Sequence, residues 1–128
     1  VYHLLSLLES DAAGVVAERA TDAHLKTLQD LHAELEAAVA DREKFFAINE
    51  RFHMLLLALA DNRWRSQMVA DLRKVMKLNR HHSLFKSGRI EESLQEHRAI
   101  MAALLARDPV ATMETMRAHF SNGLEAAV

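Results

Sequence analysis

The chain has 128 residues, half of them hydrophobic, with 16 Lys and Arg against 18 Asp and Glu and a formal net charge of −2. That is enough for one domain with a real core and short for two, and the charge gives no overall pull towards nucleic acid. There is no cysteine, which excludes a disulfide framework and thiolate chemistry. No apolar run reaches the roughly 20 residues that span a bilayer, and no signal peptide is visible. A cytoplasmic protein without a membrane partner is therefore expected. Three glycines and one proline leave little turn chemistry for a β fold, and the abundant Ala, Leu, Glu, Arg and Met favour helix. The chain opens on Val1, in the middle of a pattern, and reads as a piece of a longer protein.

Six helices are expected in chain order. The first covers residues 2–19, with Leu4, Leu5, Leu8, Ala12, Val15 and Val16 near helical spacing and Gly14 weakening it locally. Thr21 is placed to cap a second helix, from Asp22 to about Ala40, whose stripe is Leu25, Leu28, Leu31, Leu35 and Val39. Asp41 can cap a third, which ends at Asp61-Asn62. The fourth runs from about Arg63 to His82, with Trp64, Met68, Leu72, Val75 and Met76 expected inward, and 83–88 is expected to turn. The fifth covers about Ile90 to Ala106. Asp108-Pro109 opens the sixth, aspartate as cap and proline at the first helical position, and it runs to about Asn122. Short connections and no strand signal predict an all-α, antiparallel bundle of about six helices, forming one domain over 1–128.

The third helix places polar groups inside an apolar stripe. Asn49 and His53 are four apart, so they stack one turn above the other between Phe45, Phe46, Leu56 and Leu57. On the fifth helix His97 is the only polar residue in an arc of Ile90, Leu94, Ile100, Met101, Leu104 and Leu105. His119 of the sixth lies beside Thr112, Thr115, Met116 and Phe120. His97 precedes Asp108 by as many residues as His119 follows it. In an antiparallel hairpin both would sit about 16 Å from the turn at a rise of ~1.5 Å per residue, facing each other at one height. Asn49 and His53 at that level would add a third imidazole and an amide oxygen. Such a set suits zinc, nickel or another borderline divalent ion. The competing reading makes each a hydrogen-bonded core histidine, and spacing leaves both open. His32 also lies near its helix's apolar stripe with no evident partner; His3, His24, His81 and His82 read as surface or turn residues.

Other motifs carry less. Glu50-x-x-His53 matches the Glu-x-x-His of di-iron bundles, but Leu94 and Met116 stand where a second glutamate would fall. Residues 63–89 hold Arg63, Arg65, Arg73, Lys74, Lys77, Arg80, Lys86 and Arg89 against the single acid Asp71. Most of these read as a solvated face, with Arg80, one turn past Met76, as the candidate to line an anion pocket.

The motifs Phe45-x-x-x-Asn49-x-x-Phe52-His53, Asp61-Asn62, Glu96-His97-Arg98-x-Ile100 and Arg117-Ala118-His119-Phe120 together resemble the FCD domain. That is the effector-binding C-terminal domain of GntR-superfamily transcription regulators; Ala17-Glu18-Arg19-Ala20-Thr21 also fits. The resemblance covers essentially the whole chain. It implies an N-terminal winged helix-turn-helix, outside this chain, that binds DNA as a dimer. It also implies a pocket for a small carboxylate metabolite, often with a divalent metal held by one aspartate and three histidines. The histidines map to His53, His97 and His119, and the aspartate position is Asn49, whose neutral oxygen is the poorer ligand and lowers the expected metal affinity. The family's arginine near the start of the first helix is replaced, with Leu5 near its place.

The expected function is thus effector sensing and not catalysis, with His53, His97, His119 and Asn49 towards a metal and Arg80 towards the effector. The alternatives are a metal-free interaction or dimerisation domain and a metal-dependent hydrolase. The last would need a general base near the metal, and no acidic residue is expected on the inward arcs of the third, fifth or sixth helix.

Overall fold

A computed structural model describes residues 1–85 and 88–127, with side chains described for 1–78 and 88–123. Six helices follow one another: α1 (Tyr2–Arg19), α2 (Asp22–Ala37), α3 (Arg42–Leu59), α4 (Arg63–Phe85), α5 (Arg89–Leu105) and α6 (Pro109–Ala127). No strand occurs among the described residues, and none of the helices is long and apolar enough to cross a membrane.

The boundaries follow from capping chemistry. Thr21 Oγ1 accepts from the His24 N–H at 3.1 Å, and His24 Nδ1 accepts in return from the Thr21 N–H at 3.4 Å. Histidine thus fills the place that glutamate usually takes in a capping box. Asp41 accepts from the Lys44 N–H at 3.2 Å, Asn62 from Arg65 at 3.0 Å and Asp108 from Ala111 at 3.1 Å. Asp61 adopts φ 54°, the left-handed conformation that stops a helix, which leaves Asn62 free to start the next. Arg107, also left-handed at φ 57°, ends α5 and hydrogen-bonds to the carbonyl of Ala20 and, at 3.0 Å, to Asp22. It ties the α5–α6 turn to the α1–α2 turn. α2 stops at Ala37, where residues 38–40 form a turn, and α6 continues five residues past Asn122.

α6 packs along α1, α5 and α4, and α2 joins α3 and α5. Small residues bring α1 close: Ala12, Ala13, Gly14 and Ala17 are buried, and a Cβ on Gly14 would lie 2.9 Å from Met113 Cγ and Sδ of α6. The main core gathers Leu5, Val16, Leu28, Phe52, Leu56, Ile100, Leu104 and Met116. A smaller cluster holds Leu35, Ala38, Phe45, Ile48, Ile90 and Leu94.

α4 is rotated from its expected setting. Trp64 is 69% exposed, and Met68 and Val75 are about half exposed, while Val69, Arg73 and Met76 are buried. The helix carries two apolar stripes, and the one facing the bundle includes an arginine.

Candidate metal centre

The three histidines predicted to converge do so. His53 of α3 and His97 of α5 are fully buried and His119 of α6 is 8% exposed. One ligating atom from each lies within 4.8 Å of the others. The His97 and His119 rings are 4.8 Å apart, and His53 lies 5.3 Å from both. The sixth helix therefore meets the fifth at the height that the hairpin arithmetic requires.

Each of two imidazoles is held by a carboxylate that is itself held by an arginine. His53 Nδ1 is 2.6 Å from Glu9 Oε1, and Glu9 is fully buried on α1. Arg73 donates to Glu9 through Nε at 3.1 Å and Nη2 at 3.4 Å, and through Nη1 to Glu50 at 2.9 Å. His119 Nδ1 is 2.5 Å from Glu96 Oε1. Glu96 accepts two hydrogen bonds from Arg89, both at 2.8 Å, and one from Asn122 at 2.9 Å. A carboxylate beside Nδ1 favours a proton there, which would leave Nε2 as the ligating nitrogen of either ring on binding a metal. Outer carboxylates fix metal-ligating histidines in this way.

Burial raises the Glu96 carboxyl, but the hydrogen bonds from His119 and Arg89 outweigh it and hold its pKa at about 2. Burial pushes Glu9 up, and Arg73 offsets part of the effect. Burial, then the neighbouring His119 and His53, push His97 well below the ordinary imidazole value. His97 is therefore neutral at neutral pH, the form that binds a metal. Both of its ring nitrogens are buried with no hydrogen-bond partner among the described residues, as is Asn49 Oδ1. Orphaned buried polar atoms of this kind are destabilising, and an ion bound by the imidazoles would satisfy one of the two His97 nitrogens. The donor set fits a borderline divalent ion.

A cavity of about 50 Å³ adjoins the cluster where the two cores meet, with Phe45, Asn49, His53, Arg73, Arg89, Ser93, His119 and Phe120 in its wall. Asn49 thus shares the cavity wall with His53 and His119. The Arg80 side chain lies outside the described residues, as do His81 and His82. Among the described residues, the buried bases of the 63–89 stretch are Arg73 and Arg89, where a solvated face is expected from the sequence. No supporting role for Glu9, Arg73 or Glu96 is expected from the sequence. Glu9 had a signal, because it falls four residues after Leu5 and three before Ala12 on the buried face of α1; Arg73 likewise lies between Val69 and Met76. Glu96 corrects the expectation that no acid reaches inward from α5. His32 has a partner, Glu36 at 2.9 Å, while His3 and His24 are exposed as expected.

The six helices bring three histidines together beside a small cavity. The chain belongs to the FCD domain family, whose pattern it matches over residues 1–122. Its fold is similar to that of Streptococcus agalactiae GntR, with a TM-score of 0.81 and 28% identity over 94% of this chain and 55% of that one. It is also similar to E. coli McbR/YncC, with a TM-score of 0.87 and 20% identity over 98% of this chain and 64% of that one. The chain thus spans between about half and two thirds of the length of these proteins. No curated protein matches the sequence.

Proposed function

We propose that this chain is the effector-sensing domain of a GntR-type transcription regulator, and that it binds a small carboxylate metabolite beside a divalent ion held by His53, His97 and His119. The observation that carries this reading is the buried meeting of three imidazoles, two of them held by carboxylates at 2.6 and 2.5 Å. Family membership supports sensing over catalysis.

The ion, when bound, supplies a Lewis-acid anchor for an oxygen of the effector. The chain's own residues do the rest. Glu9 and Glu96 keep the Nδ1 protons in place, Arg73 and Arg89 keep the carboxylates in place, and Phe45 and Phe120 limit water. Asn49 adds an amide to the cavity wall. Because Glu9 lies on α1 and Arg73 on α4, a ligand that prefers one arrangement of His53 also biases those two helices. A DNA-binding domain preceding α1, in a dimer, would read that bias as spacing between its two copies.

Thermal melting tests the reading. Zinc or nickel should raise the melting temperature of the wild type, a chelator should reverse it, and His97→Ala should abolish the response. An unchanged melt with metal, or an equal response in His97→Ala, would remove the metal from the proposal and leave a bundle with hydrogen-bonded core histidines.

A further inference from the structure

We propose that the ligand of this chamber is a compact oxyanion carrying two negative charges, and that Asn49 makes capture of the divalent ion depend on it. The inference rests on the metal reading above and concerns the charge that such an ion brings with it. The groups that could ligate the ion are three imidazoles and one amide, none of which carries a negative charge. The nearest carboxylates are already matched: Glu9 by Arg73 and Glu96 by Arg89, at the hydrogen-bond distances given above, while Glu50 takes Arg73 at 2.9 Å and Lys77 at 3.8 Å. Three carboxylates, Glu9, Glu50 and Glu96, thus face two guanidiniums and one ammonium, and Glu92, which shares Arg89 at 3.3 Å, is exposed and screened by solvent.

A divalent ion held by this set keeps its full double charge in a buried chamber. An aspartate at position 49 would halve it, and a monocarboxylate would finish the neutralisation. Asparagine leaves both charges standing, so two negative charges must arrive with the ligand, since an unmatched buried charge is strongly unfavourable. Asn49 has a second consequence. Its amide nitrogen donates hydrogen bonds where a carboxylate could only accept, so the same substitution that removes a negative charge adds a donor for an anion. Asn49 and Ser93 both line the cavity, one turn before His53 and His97 respectively, and Ser93 is 4% exposed. The cavity volume of about 50 Å³ restricts the ligand to a few heavy atoms near the histidines. By linkage, an anion that favours the ion is itself favoured by the ion to the same degree.

Equilibrium dialysis against buffered free Ni²⁺, in acetate, malonate or sulfate at equal ionic strength, tests this. Malonate or sulfate should tighten nickel binding to the wild type by about tenfold or more over acetate, a conservative figure for one extra unit charge at close range. Asn49→Asp should bind nickel more tightly in acetate and lose most of the gain from the dianions. A gain with malonate alone identifies a dicarboxylate, and an equal gain with sulfate identifies a requirement for charge without carboxylate geometry; both support the dianion. Equal affinity in all three anions, or the same gain in Asn49→Asp, overturns it. Nickel bound by Asn49→Asp and never by the wild type overturns it while the histidine site stands. Nickel bound by neither removes the histidine site as well. If Asn49→Asp does not fold, the wild type across the three anions decides alone.

Discussion

Glu9 and Arg73 are 64 residues apart in sequence and meet in the interior, both almost wholly removed from water. A buried charge pair is a weak source of net stability, but removing one partner strands the other. Arg73→Met is therefore expected to destabilise the fold by about 3–5 kcal/mol in urea denaturation, and adding Glu9→Leu should restore much of it. A double variant as unstable as Arg73→Met would mean that the pair does not account for the loss. Glu9→Gln addresses the other role of this carboxylate. It keeps the shape but weakens the hold on the His53 Nδ1 proton, and should lower metal affinity about 10–100-fold with the stoichiometry unchanged. Glu96 gives the pH dependence. Its pKa in the fold is about 2 against an ordinary 4.5, so its contribution is complete above pH 4.5 and is lost as the pH falls towards 2. The stability gap between wild type and Glu96→Gln should narrow by roughly 1–2 kcal/mol over that window, after allowance for partial solvent screening; a constant gap would contradict the assignment. At this scale the histidines were legible because helical spacing alone puts them on apolar arcs. Their supporting charges were not, since nothing local says which distant residue will neutralise a buried acid or arginine.

At the level of the helix, caps and breaks were the most readable features, because each depends on neighbours in sequence: Thr21, Asp41 and Asp108 all accept the hydrogen bond expected of them. The facing of α4 was not. Trp64, Met68 and Val75 form one apolar stripe and Val69 and Met76 another, and periodicity cannot choose between them when the second includes Arg73. Packing chooses, since Arg73 finds Glu9 and Glu50 only from the second. The contact between α1 and α6 depends on Gly14 as well as on apolar stripes. Leucine there would displace the Met113 side chain and part the helices, so Gly14→Leu should destabilise by about 1–3 kcal/mol. Alanine should be nearly neutral, its gain in helix propensity of ~1 kcal/mol offset by a small shift of Met113. A Gly14→Leu variant with an unchanged unfolding midpoint would show that this approach is not tight.

For the molecule as a whole, the fold class followed from composition and the spacing of six helical segments, and the hairpin of matched arms placed His97 opposite His119 but left the level of His53 to the packing of α3. The size of the cavity and the neutral balance of charge around it required the assembled helices, because Glu9, Arg73, Arg89 and Glu96 come from three of them. X-ray anomalous scattering at the zinc edge, from crystals grown with zinc, measures the chamber most directly. The expected result is one strong peak per chain with nitrogens of His53, His97 and His119 at about 2.0–2.1 Å. A map with no peak among these three rings, or with zinc bound only at surface residues, would contradict it.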